Sequence, residues 1–268
     1  MYQLIKRAEE VEQAAASAMP AMTKIKVDKR NNKEIEALRS AMASGSGADV
    51  LKDMDVYKAN RPEDSFMMTN EEGTPDLVNI NKDYAPINSH EYGHAIDFNK
   101  PLTKYRTRIP LLINPTLMPV STLYNEYRAN KDSWDAINKV YSDDPELLQN
   151  FSDLRDELLT PAYRTYIHSL VPKIIGGTIG TAAGFAIPMN SWKGRYVSQY
   201  IGGAAGTAGG TAMSDVMGFR DRHRKAMEEL QYKLHHDADI KRRLALLNRQ
   251  IVRHARKNNY YEQPAVTN

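Results

Sequence analysis

The sequence predicts a mainly α protein of the α+β class: a small antiparallel sheet, then a glycine-zipper helical hairpin, then basic C-terminal helices. Three observations carry this expectation. Apolar residues at helical spacing mark segments near both ends and in the middle of the chain. Two short runs, residues 65–69 and 76–81, read as strands. Between residues 174 and 213, glycine recurs every fourth residue in two apolar runs.

In chain order, residues 2–19 pattern as a helix with Leu4, Ile5, Ala8 and Val11 on one face, interrupted at Pro20. Lys6, Arg7, Glu9 and Glu10 stand where a secretion signal needs an apolar core, so no signal peptide is expected. Residues 33–43 form a second helical pattern, and Ser44-Gly45-Ser46-Gly47 reads as its breaker. The strands at 65–69 and 76–81 pair into the sheet. Pro86 and Asn88-Ser89 supply turn and N-cap chemistry for a helix through Phe98, which Pro101 ends. After a loop with Pro110, Pro115 and Pro119, residues 123–130 read as helical again.

The helix after the second strand carries His90-Glu91-Tyr92-Gly93-His94, an H-E-x-x-H pattern. Histidines four apart lie about one turn from each other, so both imidazoles reach one cation from the same face. Glu91 then points toward a water on that cation. Zn²⁺ can lower the pKa of such a water to about 7, and a neighbouring carboxylate can take its proton as a peptide carbonyl is attacked. A catalytic zinc needs a third protein ligand. Lys100-Pro101-Leu102 offers no His or Asp just downstream, which leaves a glutamate from a second helix, with Glu126 the best candidate.

Here the chain resembles the gluzincin group of zinc metallopeptidases, over roughly residues 60–140. The resemblance implies a zincin-like catalytic domain, Zn²⁺ held by His90, His94 and Glu126, and a peptide or protein substrate. It also places Asn130 where the group carries an acid that accepts a hydrogen bond from a zinc-bound histidine. An asparagine carbonyl accepts that bond without the charge, so weakened activity is expected. Asp97, one turn after His94, either orients that ring or is a solvent-facing helix acid. A Tyr or His that stabilises the oxyanion is also implied, and spacing selects none of Tyr163, Tyr166 and His168. The strand preceding the metal helix is expected to offer its edge to an extended peptide.

The zipper glycines are Gly176, Gly180 and Gly184, then Gly202, Gly206 and Gly210, with a connector at residues 190–199. Helical glycines at this spacing form a flat strip that admits close helix packing. Each interior glycine costs about 0.8–1 kcal/mol relative to alanine in water, which favours an apolar environment. Three readings stay open: membrane insertion through residues 174–213, a soluble glycine-packed hairpin, or a flexible linker. Insertion would leave the body facing the cytoplasm, because Arg220, Arg222, Arg224 and Lys225 follow the second run closely, with Trp192 and Tyr196 as interface anchors. The strips also permit homo-oligomers.

Residues 214–258 read as one or two amphipathic helices with Met217, Leu230, Leu234, Leu244, Leu247 and Ile251 on the apolar face. Lys241-Arg242-Arg243 and residues 249–257 form basic clusters, read as a solvated face, an anionic-lipid contact or a nucleic-acid contact. His235-His236 has no usable metal spacing. The expected divisions are 1–60, an N-terminal arm; 61–170, the zincin-like domain; 171–213, the hairpin; and 214–268, the tail.

Composition limits the alternatives. Cysteine is absent, which removes disulfides, thiolate ligands and cysteine nucleophiles together. Net charge is a mild +3, and 41% hydrophobic residues suffice for a core. No phosphate-binding glycine loop and no Gly-x-Ser-x-Gly elbow is present. The expected function is zinc-dependent peptide hydrolysis in a membrane-associated protein. The alternative is a membrane-active structural or ejection protein of a phage virion whose metal site is accessory.

Overall fold

The computed structural model describes residues 26–27, 32–70, 74–100, 103, 117–187 and 191–260. The expected helix at 2–19, Pro101, Pro110 and Pro115 lie outside them, as does the Trp192 side chain. The helices are α1 (Lys33–Ser46), α2 (Val50–Asp53), α3 (Ala85–Phe98), α4 (Leu117–Val140), α5 (Pro145–Ala186), α6 (Trp192–Val216), α7 (Phe219–His235) and α8 (Ala238–Lys257). The strands are β1 (Asp55–Lys58), β2 (Phe66–Thr69) and β3 (Pro75–Ile80). The chain is mainly helical with a small sheet, as its patterning predicts.

The sheet departs from the expectation in one respect. Its order is β1-β3-β2, with β2 antiparallel and β1 parallel to β3, so it is mixed rather than antiparallel. Val56 pairs with Val78 on one side, and Met67 with Val78 on the other. β3 is therefore central, and β2 holds the edge beside α3.

Several boundaries move for local reasons. α1 runs through Ser44 and Gly45 to Ser46, and stops at Gly47, whose φ of 69° suits glycine and whose N–H bonds the Ala43 carbonyl. Gly45 belongs inside the helix because a Cβ there would lie 2.3 Å from the Ala136 carbonyl oxygen of α4. α3 begins at Ala85 with Pro86 in its first turn, so Asn88 and Ser89 are helical rather than capping. Their side chains bond the Asn81 and Pro86 carbonyls instead. Pro119 lies in the first turn of α4, a position where its missing N–H costs nothing.

α5 continues through Pro161 and Pro172 for 42 residues, so the first hairpin arm is the distal end of a helix rooted in the body. α6 starts at Trp192, and the expected connector is largely helical. The two arms meet glycine to glycine: a Cβ on Gly176 would lie 2.1 Å from the Gly206 carbonyl oxygen, and one on Gly180 would lie 2.0 Å from that of Gly202. The zipper is thus filled within the chain, as a packed hairpin. No helix among the described residues is long and apolar enough to cross a membrane.

At Gly218, φ 69°, the chain turns into α7, which returns along α5. One apolar cluster then spans the expected divisions, joining Leu38 and Met42 of α1, Val78 and Ile80 of β3, and Tyr92 of α3 to Phe151 of α5 and Leu244, Leu247 and Ile251 of α8. Residues 238–257 accordingly contribute to the core of the body.

Candidate metal centre

His90 and His94 project from α3 toward α4, and both rings are mostly buried. The helices approach closely because Gly93 faces α4. A Cβ on Gly93 would lie 2.2 Å from the Ala129 carbonyl oxygen. A network of charges fixes the register: Arg128 lies 3.3 Å from Asp97 and 3.6 Å from Asp132, and Lys100 pairs with Asp132. Burial disfavours the Arg128 cation, yet Asp132 and Asp97 raise its pKa. Asp97 is fully buried, which excludes the solvent-facing reading, and its carboxylate ties α3 to Arg128 of α4.

This register brings Glu126 to the histidines. Its Oε2 lies 3.1 Å from His90 Nε2 and 3.7 Å from His94 Nε2, and the imidazole centroids are 4.7 Å apart. Burial alone would raise the Glu126 carboxyl, but hydrogen bonds from His90 and His94, together with their charges, hold it at about 2. Asn130 Oδ1 lies 3.2 Å from His90 Nδ1. When Nδ1–H donates to this oxygen, the Nε2 lone pair is left for a cation. His90, His94 and Glu126 each offer one ligand atom within 4.8 Å of the others, and this group can hold a metal ion. Among the described residues no other group of three or more His, Cys, Asp or Glu does so.

Glu91 lies next to the group and is 9% exposed. Burial pushes its carboxyl up to about 7; the charge of His90 opposes this and that of Glu126 adds to it. The expectation that β3 would offer an edge is corrected here, since β3 is paired on both sides.

A cavity of about 280 Å³ opens beside these residues. Tyr163 and Tyr166 of α5 line it, whereas His168 does not and instead sits 6.2 Å from the Phe219 ring. Burial together with the charges of Glu126 and Glu91 raises the Tyr166 phenol. Met227, Leu230 and Leu234 of α7 also line it.

No protein family, curated protein or solved structure matches the chain.

Two imidazoles and one carboxylate converging beside a cavity form a donor set that can hold a metal ion. Sequence reasoning places all three donors, Glu91 and Asn130. It does not find Gly93 as the contact that sets the helix spacing, although a small residue inside the motif is its visible signal. It also has no means of finding Met227 and Leu230, which line the cavity from more than 130 residues beyond His94 in sequence.

His235 and His236 stay apart from the metal group, with His235 Nε2 3.1 Å from Glu63. Much of the basic tail engages the body or itself: Arg243 pairs with Glu157, Arg242 with Asp239, and the buried His254 with Asp143.

Proposed function

We propose that the chain is a zinc-dependent peptide hydrolase of gluzincin type. The observation that carries this reading is the buried Glu91 side chain, which lines the same cavity as His90 and Glu126 of the His90-His94-Glu126 group. When bound, zinc supplies Lewis acidity toward a carbonyl oxygen and toward water. Glu91 takes the proton of the attacking water and delivers it to the leaving amine. Asn130 keeps His90 in the tautomer that ligates, without the charge an acid would add. Tyr166, which feels both Glu126 and Glu91, donates its O–H to the carbonyl oxygen as charge develops there. The substrate backbone extends β2 by strand addition.

The test is a pair of variants. Zinc-loaded wild type is expected to bind about one zinc per chain and cleave peptides. Glu91→Gln keeps the zinc and loses cleavage; Glu126→Ala loses most of the zinc. Wild type that takes up no zinc on reconstitution refutes the reading.

A second reading is favoured by the outer face of the hairpin. Ile179, Phe185, Val197 and Ile201 are exposed there. Between Glu157 and Asp215 the sequence holds no acid, and Arg164, Lys173, Lys193 and Arg195 are its cations. Cationic, apolar arms whose helices, among the described residues, are not long and apolar enough to cross a membrane fit shallow contact with anionic lipid. Co-sedimentation with phosphatidylserine vesicles, lost in Ile201→Asp and absent with neutral vesicles, is the expected outcome; equal sedimentation of both proteins rejects it.

A further inference from the structure

We infer that the outward face of α8 is a binding surface for double-stranded nucleic acid, which it holds mainly through phosphates and with little regard to base sequence. This role is separate from the metal centre and from the hairpin. It begins in a stretch of chain with charge of one sign. Residues 240–261 contain no Asp or Glu, whereas Lys or Arg occupies seven of those positions.

Folding sorts these cations by face, because each residue advances about 100° around an α-helix. Ile240, Leu244, Leu247 and Ile251 lie on the face that α8 buries in the core. One flank meets acids of the body: Arg243 pairs with Glu157 at 2.6 Å, and His254 with Asp143 at 2.9 Å. Arg242, Arg249, Arg253 and Arg256 fall within an arc of about 60° on the side opposite the core, and all four are exposed. Arg242 bonds Asp239 in the first turn of its own helix, while Arg249 and Arg253 make no ion pair among the described residues. Like charges held side by side on a packed helix repel one another, and a polyanion relieves that repulsion.

Spacing and surroundings select the polyanion. The row runs about 21 Å from Arg242 to Arg256 at 1.5 Å per residue, the length of roughly six base pairs. Each strand of a duplex carries one negative charge per about 3.4 Å of axis, so a single backbone supplies a phosphate for every arginine in the row. Lipid fits this face less well. A helix that lies in a bilayer interface buries an apolar face there, and the apolar face of α8 is occupied by the core. Leu246, 50% exposed, is the large apolar side chain that α8 leaves outside. The arc carries no aromatic ring on which an unpaired base could stack, which favours a duplex over a single strand. It carries no Asn or Gln to read an adenine edge either, so phosphate contact dominates.

The experiment is a fluorescence-anisotropy titration of the full chain against a mixed-sequence DNA duplex of about 20 base pairs, repeated across salt concentrations. Four phosphate contacts give a slope of log K against log salt of about −3.6, or roughly 100-fold weaker binding at about 200 mM than at about 50 mM salt. Arg249→Gln combined with Arg253→Gln is expected to bring the slope to about −1.8 and to weaken binding alike for unrelated sequences. Lysine at both positions keeps the slope, since a point charge suffices for phosphate. Lys193→Gln combined with Arg195→Gln removes the same charge from the hairpin and leaves duplex binding unchanged. An unchanged thermal midpoint checks that each variant is folded. No duplex binding at low salt, a slope untouched by the α8 pair, or an equal loss in the hairpin pair overturns the proposal. Tighter binding of a single strand of the same length does so too. Phosphatidylserine vesicles that bind the wild type and not the α8 pair, with no duplex binding by either, would assign the face to lipid instead.

Discussion

Gly93 shows how one side chain, or its lack, sets the chemistry of its neighbours. It stands between the two histidines in sequence and against the Ala129 carbonyl in space, where a Cβ would lie 2.2 Å from backbone oxygen. That oxygen belongs to α4 and cannot rotate away, so Gly93→Ala must push α4 outward and carry Glu126 with it. Overpacking of this kind costs about 1–3 kcal/mol, and zinc affinity should fall by tenfold or more in a chelator-competition titration. Unchanged affinity would show that Glu126 reaches the histidines by some other constraint. Tyr166 offers a second test at this scale. Removing one oxyanion donor costs about 10²–10³ in kcat, so Tyr166→Phe should lose that much turnover and keep its zinc. Unchanged turnover would transfer the role to Tyr163, which shares the cavity wall.

Elements explain which parts of the molecule could be read in advance. The metal helix was legible because its pattern is local: five consecutive residues fix both imidazoles and the carboxylate. Glu126 needed a resemblance, since nothing in residues 123–130 alone says which neighbour that helix packs on. β1 is not legible in the sequence, because Asp55-Val56-Tyr57-Lys58 is short and its partner in parallel pairing, β3, lies some twenty residues away. The hairpin was legible as a period of four. That its first arm continues a 42-residue helix through Pro161 and Pro172 was not, because local rules end helices at proline and only tertiary packing overrides them. The zipper itself makes a paired prediction. A Cβ on Gly206 would lie 2.1 Å from the Gly176 carbonyl oxygen, whereas one on Gly209 meets nothing within 4 Å. Gly206→Ala should therefore lower the urea midpoint. Gly209→Ala should raise stability by about 0.5–1 kcal/mol, the ordinary gain from replacing a helical glycine. Equal effects from both would mean that the arms are not in close backbone contact.

Among the described residues the body shares one core across distant segments, because the chain leaves it along α5, turns in the hairpin, and returns along α7 and α8. Leu247 of α8 has no exposed surface and lies in the same apolar cluster as Ile80 of β3 and Tyr92 of the metal helix. Asn248 of the same helix donates to the Lys82 and Asp83 carbonyls just before α3. The C-terminal helix thus supports the start of the helix that carries His90 and His94, although it touches neither histidine's ligand atoms through these bonds. Truncating a fully buried leucine costs about 2–5 kcal/mol, the lost transfer energy plus the cavity left behind. If residues 214–268 were an independent tail, Leu247→Ala would melt that segment alone and leave metal binding intact. With a shared core, the variant should show a single transition, lowered for the far-ultraviolet signal and for zinc release together. Excess zinc should raise that transition in wild type and variant alike, because the ion binds the folded site in preference to the unfolded chain. Two separated transitions, with zinc retained through the first, would divide the molecule at α7.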